Sequence, residues 1–292
     1  MNTIEKLNPD EPFKNRMREQ KELLRHRMKH VKHVIAVISG KGGVGKSTVT
    51  VNVAAAFALQ GKQVGVLDAD IHGPSVPRLL GLTGQKVKVG PPGAFPVTGY
   101  LGIKVVSIDF FLPEEKTPTI WRGPLKMTAI RQFLSDVVWG KLDVLFIDLP
   151  PGTGDEPLSI AQLLPNIDGV IIVTMPSELS RAVVKKAITF TRRVGMSVIG
   201  VIENMSGYIC PKCGNKIDIF QSGGGKKMAI ETGVPFLGSI PIDPTVSADS
   251  DKGSPFVIQH ATSPAAKAFI QIINKVETYL KAGTKPKPKE KT

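Results

Sequence analysis

Cysteine is almost absent: the 292 residues hold two, Cys210 and Cys213. A disulfide-stapled scaffold is excluded. In a reducing compartment a C-x-x-C pair points to metal or redox chemistry rather than to a structural bridge. Long apolar runs are missing too. None approaches the roughly 18 residues of a membrane-spanning helix, and the polar, basic N-terminus lacks the apolar core of a signal peptide. The sequence therefore predicts a cytoplasmic protein with no membrane partner. Aromatic residues make up 6% of the chain and do not interleave with basic residues at either end, which argues against a stacking surface for nucleic acid. Acidic residues are outnumbered, 25 against 38 Lys and Arg, for a formal charge of +13. The excess gathers partly at the ends, with nine Lys or Arg between Lys6 and Lys32 and five lysines against one glutamate from Lys281 to Thr292. These ends read as solubilising tails; contact with nucleic acid or an acidic membrane is the less favoured reading.

What is present centres on Gly40–Thr48, GKGGVGKST. It follows an apolar run, His33–Ser39, and precedes a helical segment, Ser47–Leu59. Gly40, Gly45, Lys46 and Ser47 fit the spacing G-x-x-x-x-G-K-[ST] of a phosphate-binding loop. Its glycines, Gly40, Gly42, Gly43 and Gly45, let the backbone curl around Val44 so that N–H groups point inward at phosphate oxygens. The helix after Thr48 adds its positive end. Lys46 is placed to reach the β- and γ-phosphates, and the Ser47 hydroxyl to hold Mg²⁺. Lys41 makes a second lysine in the loop. The pattern K-G-G-x-G-K-S-T resembles the deviant Walker A loop of MinD/ParA-class ATPases, and that resemblance implies that Lys41 acts across a nucleotide-sandwich dimer on the partner's phosphates.

Two more strand ends carry carboxylates. Gln63–Leu67 runs into Asp68-Ala69-Asp70, then Ile71-His72-Gly73-Pro74-Ser75. Carboxylates at the C-terminal end of a parallel strand sit beside the ligand. Asp70 is assigned to the attacking water and Asp68 to the metal shell, the competing reading being a cap on the short helix Ser75–Leu80. Leu142–Ile147 ends in Asp148, as a Walker B strand does to organise Mg²⁺ beside Ser47. Gly152, fourth in D-x-x-G, is placed to offer an N–H to the γ-phosphate. Asp155 reads equally well as a helix N-cap.

The remaining chain predicts a helix over Pro12–Val31, with Met17, Leu24, Met28 and Val31 as a thin apolar stripe that docks on the body of the protein. His26, His30 and His33 on it lack companions for a metal. Gln85–Val97 reads as a loop with short extended pieces, Leu101–Phe111 as a strand and Leu125–Trp139 as a helix, preceded by Trp121-Arg122-Gly123-Pro124, where Arg122 faces phosphate or a partner. Two βα units follow: strand Gly169–Thr174 with helix Ser180–Val194, then strand Ser197–Ile202, ending in Glu203-Asn204-Met205. Asn204 resembles the adenine-contacting Asn of the MinD/ParA class. Asn215-Lys216-Ile217-Asp218 spells the guanine motif N-K-x-D but lies eleven residues beyond the strand end, so the predicted nucleotide is ATP. The cysteines lie in a loop, Gly207–Ser222. A glycine run opens the helix Lys226–Thr232, and strand Pro235–Ile240 leads into Pro241-Ile242-Asp243-Pro244, with Asp243 framing the base. Pro264–Lys281 closes the fold as a helix. Repeated β-α units with the chemistry at strand C-termini predict an α/β fold, a doubly wound, mainly parallel sheet flanked by helices. The expected organisation is a basic extension over 1–32, a P-loop domain over 33–281 and a disordered Lys/Pro tail over 282–292.

Two thiolates do not complete a tetrahedral zinc or a four-iron cluster, each of which takes four ligands. Two copies of the chain would supply four. Here the resemblance becomes specific. GKGGVGKST, DADIHGPS, WRGP, DLPPGTGD, ENMSGYICPKCG and the following GGG resemble the Mrp/ApbC (Nbp-type) iron–sulphur cluster carrier ATPases, from about Val31 to Leu280. The resemblance implies a homodimer that bridges a [4Fe–4S] cluster through Cys210 and Cys213 of each chain, receives it from a cluster assembly scaffold and passes it to apo iron–sulphur proteins, with ATP and Mg²⁺ as cofactors. The separate N-terminal domain or four-cysteine site of some relatives is not in this sequence. The competing readings are a MinD/ParA-like positioning or partition ATPase that binds DNA, which leaves C-x-x-C unexplained, and a dimeric ATPase bridged by zinc in the same thiolates.

Overall fold

A computed structural model describes residues 22–111, 130–152, 167–210, 212–219 and 222–283. The expected disorder at 1–11, the start of the N-terminal helix, the motif at 121–124, the first turn of the helix expected from Leu125, Asp155 and the Lys/Pro tail beyond 283 all lie outside the described residues.

Among the described residues the main sheet has eight strands: β1 (Val31–Ser39), β2 (Val64–Asp68), β5 (Val97–Thr98), β6 (Lys104–Val106), β7 (Leu142–Asp148), β8 (Gly169–Thr174), β9 (Val198–Glu203) and β12 (Phe236–Ser239). Their order is β12-β9-β8-β1-β7-β2-β6-β5. Every pairing is parallel except that of β5 with β6. Hairpin strands β3 (Lys88–Gly90) and β4 (Gly93–Phe95), and β10 (Tyr208–Ile209) and β11 (Lys216–Ile217), stand outside it.

The sheet is buried on both faces, so its strands are near-continuous apolar runs whose successive side chains enter opposite layers. On β1, Ile35 and Val37 enter one apolar cluster, which also holds Val51, Ala55 and Phe57. Val34, Ala36 and Ile38 enter the other, with Leu134, Trp139 and Ile188. The helix α2 (Lys46–Leu59) is buried over most of its circumference. Its run Ala54-Ala55-Ala56 keeps it close to the sheet, where Ala54 to Ala56 are fully buried. Phe57 meets Phe146 of β7 edge to face, with ring centroids 5.5 Å apart.

Several expectations need correction. The N-terminal helix, α1, covers residues 22–28 among those described, and Val31 belongs to β1. Its apolar stripe does dock on the body: Leu24 and Met28 are buried with Ile130, Phe133 and Leu134, and Arg27 Nε donates to Ser135 O at 3.3 Å. The domain body therefore includes this part of the expected extension. Within Leu101–Phe111 only Lys104–Val106 is strand. Left-handed Leu101 and Gly102 (φ 53° and 77°) turn the chain back against β5, and a second tight turn, Ile108–Phe110, follows. The helix expected to reach Trp139, α4, ends at residue 135, and Val137 bridges to Ala94 instead. The loop Gly207–Ser222 contains the β10–β11 hairpin, whereas the short extended pieces expected within Gln85–Val97 are present as the β3–β4 hairpin.

The other helices among the described residues are α3 (Val76–Leu79), α5 (Glu178–Arg193), α6 (Gly224–Thr232), α7 (Pro244–Asp251), α8 (Phe256–Gln259) and α9 (Pro264–Lys281). Among the described residues, no helix is long and apolar enough to cross a membrane.

Candidate functional site

All the parallel strands present their C-terminal ends on one edge of the sheet. The phosphate loop leaves β1 there and turns into α2 through Gly43 and Gly45, both left-handed (φ 76° and 78°). Gly45 has a second constraint: a Cβ on it would lie 2.3 Å from Asn204 Nδ2. Gly40 is equally confined, because a Cβ there would meet Val183 at 2.2 Å. Ser39 Oγ donates to Lys41 O at 2.9 Å and pins the start of the loop.

Lys46, Ser47 and Asp148 converge as the motifs require. Lys46 Nζ lies 2.7 Å from Asp148 Oδ2, with both side chains buried. Ser47 Oγ donates to the same oxygen at 2.5 Å. The strand register accounts for this: Asp148 stands opposite Val37 of β1 and Asp68 of β2, so the last residues of β2 and β7 lie side by side next to the C-terminal end of β1. The spacing of motifs did not reveal Thr50, one turn into α2. Its hydroxyl is 2.8 Å from Asp148 Oδ1 and 3.0 Å from Lys46 O. Only its i+3 distance from Ser47 on the same helix face marked it. Replacing Thr50 by Val keeps the shape but strands a buried carboxylate oxygen. The expected cost is about 1–3 kcal/mol of stability, read by urea unfolding.

Asp68 is also buried. Burial, and next the Asp148 carboxylate, hold its acid well above the ordinary carboxylate range, while Lys46 and the Val76 and Asp70 N–H groups oppose that shift. Its oxygens accept N–H bonds from Asp70, Ser75 and Val76 at 3.1–3.2 Å. Asp68 thus anchors the loop that carries Asp70. Asp70 accepts from Gly73 N–H at 3.3 Å, within that loop. The donor set fits a divalent cation: two buried carboxylates face one buried lysine and the Ser47 hydroxyl, leaving negative charge for a metal to neutralise.

Gly152 follows β7, and its N–H donates to Ser39 O at 2.8 Å. The backbone after β7 is thereby stitched to the end of β1.

On the other side of the phosphate loop a cavity of about 410 Å³ is lined by Gly45, Thr48, Asn204, Asp243, Val246 and Phe269, among others. Asn204 Nδ2 donates to Val44 O at 3.0 Å, so this side chain braces the phosphate loop as well as facing the cavity. Asp243 faces it too, and its carboxylate caps α7 by accepting from Thr245 N–H at 3.0 Å. The N-K-x-D stretch is exposed on and beside β11 and does not line the cavity. Lys41 is half-buried at the mouth of the loop.

Cys210 and Cys213 sit at the tip of the β10–β11 hairpin, half-buried and exposed, with free thiols. Cys210 N–H donates to Asn215 O at 3.0 Å and Gly214 N–H to Cys210 O at 2.8 Å, which closes the tip. The Cys213 N–H, then the Lys212 N–H and the Cys213 side chain, hold the Cys210 thiol below its ordinary range. Among the described residues no group of three or more His, Cys, Asp or Glu is placed to hold a metal. His26, His30 and His33 accordingly form no such group, and His33 Nδ1 lies 3.4 Å from Asp168.

Three comparisons bear on this arrangement. The family described as ParA, NUBPL iron-transfer P-loop NTPase, matches residues 30–277. An iron-sulfur cluster carrier protein of Saccharolobus solfataricus is 54% identical over 250 residues, covering 86% of this chain and 84% of that protein. A cytosolic Fe-S cluster assembly factor of Eremothecium gossypii, CFD1, is 44% identical over 260 residues, 85% of this chain and 92% of that protein. Among solved structures, a nucleotide-binding protein from Archaeoglobus fulgidus in complex with ADP superposes with a TM-score of 0.74. It is 43% identical and covers 85% of this chain and 96% of its own.

Proposed function

The chain belongs to the ParA family of NUBPL iron-transfer P-loop NTPases, and from that premise we propose that it is an ATP-dependent iron–sulphur cluster carrier. In this reading two chains hold one [4Fe–4S] cluster through Cys210 and Cys213 of each, receive it from an assembly scaffold and pass it to apo-proteins. The observation that carries it is the hairpin tip: two free thiols at the surface, with no further metal-binding group assembled around them among the described residues. A four-ligand cluster then needs a second copy. An exposed position also suits cargo that leaves by ligand exchange.

At the nucleotide, Lys46 neutralises charge on the γ-phosphate, joined by Lys41 of the partner subunit. Gly40, Gly42, Gly43, Val44, Gly45 and Thr48 wrap the phosphates with backbone N–H groups. Ser47 and Asp148 would hold Mg²⁺, which supplies Lewis-acid stabilisation of the phosphate oxygens. Asp68 holds the loop that presents Asp70 to the attacking water. Asn204 and Asp243 frame an adenine.

The test is anaerobic reconstitution of the purified chain with iron and sulphide, with metal analysis and mass in solution. The expected result is about four irons per two chains. Zinc retained in place of iron favours the zinc-bridged ATPase, and a folded ATPase that takes up neither metal favours the DNA-binding partition reading.

A further inference from the structure

The strand end that reaches the phosphate loop is also the point from which the cysteine hairpin hangs. We propose that residues 203–207 couple nucleotide occupancy to the cysteines, with Glu203 as the positioning residue. This rests on the reading of Cys210 and Cys213 as the cargo site and adds a residue that acts on that site from within the chain.

Glu203 is the last residue of β9, and its carboxylate is fully buried. Oε1 accepts from the Ser206 hydroxyl at 2.6 Å and from Gly223 N–H at 3.0 Å. Oε2 accepts from Gly225 N–H. Ser206 stands two residues before β10, and Gly223 caps α6, six residues beyond β11. One carboxylate therefore ties both roots of the element that carries the cysteines. No salt bridge pairs it with a cation among the described residues; N–H groups at the N-terminal end of α6 stabilise its charge. A carboxylate can accept at both oxygens, whereas an amide in its place can accept at only one.

The next residue connects this clamp to the nucleotide side. Asn204 donates to Val44 O and lines the 410 Å³ cavity. The chain then reverses through Met205 and Gly207, both left-handed (φ 58° and 73°). Met205 is not glycine, so the reversal holds a conformation that L side chains rarely adopt. Backbone bonds fasten the same stretch to the wall of the cavity: Ile240 N–H to Glu203 O and Ser206 N–H to Ile240 O, each 2.8 Å, and Ile242 N–H to Gly207 O at 2.7 Å. A base that displaces Asn204 or the 240–242 wall must move the hairpin's roots, because the two are hydrogen-bonded to the same short segment.

The experiment uses the full chain, reduced and free of metal. Alkylation of Cys210 and Cys213 by iodoacetamide is followed residue by residue by mass spectrometry, with and without Mg·ATP. In the wild type, nucleotide is expected to change the rate about fivefold or more, the lower end of ordinary coupling between sites. In Glu203→Gln the nucleotide Kd stays within about threefold, since this side chain does not line the cavity, while the response of the thiols disappears. Ser206→Ala, which removes one tie, gives an intermediate response and decides the matter if Glu203→Gln does not fold. Wild-type thiols indifferent to nucleotide, or a full response in the folded variants, would overturn the proposal. If the thiols respond but the protein takes up no iron, the cargo reading fails and the coupling stands.

Discussion

A Lys46→Ala variant will hydrolyse ATP on the order of a thousandfold more slowly than the wild type, the scale of losing one well-placed cation at a transferring phosphoryl group. The same substitution has a second effect. Lys46 Nζ is 2.7 Å from Asp148 Oδ2, and the two side chains are 6% and 0% exposed. Asp68 stands beside Asp148 across the β2–β7 register. Without the lysine, two buried carboxylates face each other with no cation, at an expected cost of about 3–5 kcal/mol in the nucleotide-free protein. A double variant separates the two effects. Lys46→Ala/Asp148→Asn removes the stranded charge, so it regains much of the stability and none of the hydrolysis. Phosphate release and urea unfolding on the wild type and the two variants provide the measurement. Retention of more than about a tenth of the activity by Lys46→Ala would remove it from the phosphate site.

Cys210→Ala/Cys213→Ala will take up no cluster on reconstitution, against about four irons per two wild-type chains. Its fold and hydrolysis are expected to persist. Cys213 is exposed, Cys210 is half-buried, and the hairpin tip is closed by backbone bonds that alanine retains. The stability change should stay within about 0.5 kcal/mol. Iron that survives in the double variant would place the cluster elsewhere.

What the sequence made legible followed from local chemistry. Glycines at fixed spacing after an apolar run, and an aspartate at the end of another, locate Lys46, Ser47 and Asp148 because parallel strands bring their C-terminal ends together. The continuous apolar runs in β1 and β7 likewise announce a sheet covered on both faces. Features that depend on distant partners were not legible. Thr50 and Glu203 are ordinary helix and strand residues until the fold sets one against Asp148 and the other beneath Gly223 and Gly225. Gly152 fits a phosphate-sensing pattern, and its N–H bond to Ser39 O could not be read from that pattern. The run Leu101–Phe111 is apolar enough for a long strand, but backbone reversals at Leu101 and Gly102 limit it to three residues. The hairpin beneath the cysteines escaped because each of its strands is two residues long, too short for any periodicity.

The place of β1 in the sheet also bears on how the protein is made. Its two neighbours are β7, paired from Val31↔Leu142 to Val37↔Asp148, and β8, paired from Ile35↔Gly169. At ribosomal speeds of about 5–20 residues per second, β1 waits roughly 5–20 s for the first of these partners to be synthesised. During that interval the apolar strand has both edges unpaired, the state most prone to sticking to another nascent chain. The phosphate loop has no rigid base until β7 and β8 arrive, so nucleotide cannot stabilise the early chain. Yield in a heterologous host is therefore expected to respond to slower translation and to chaperones that shield strand edges more than to added nucleotide.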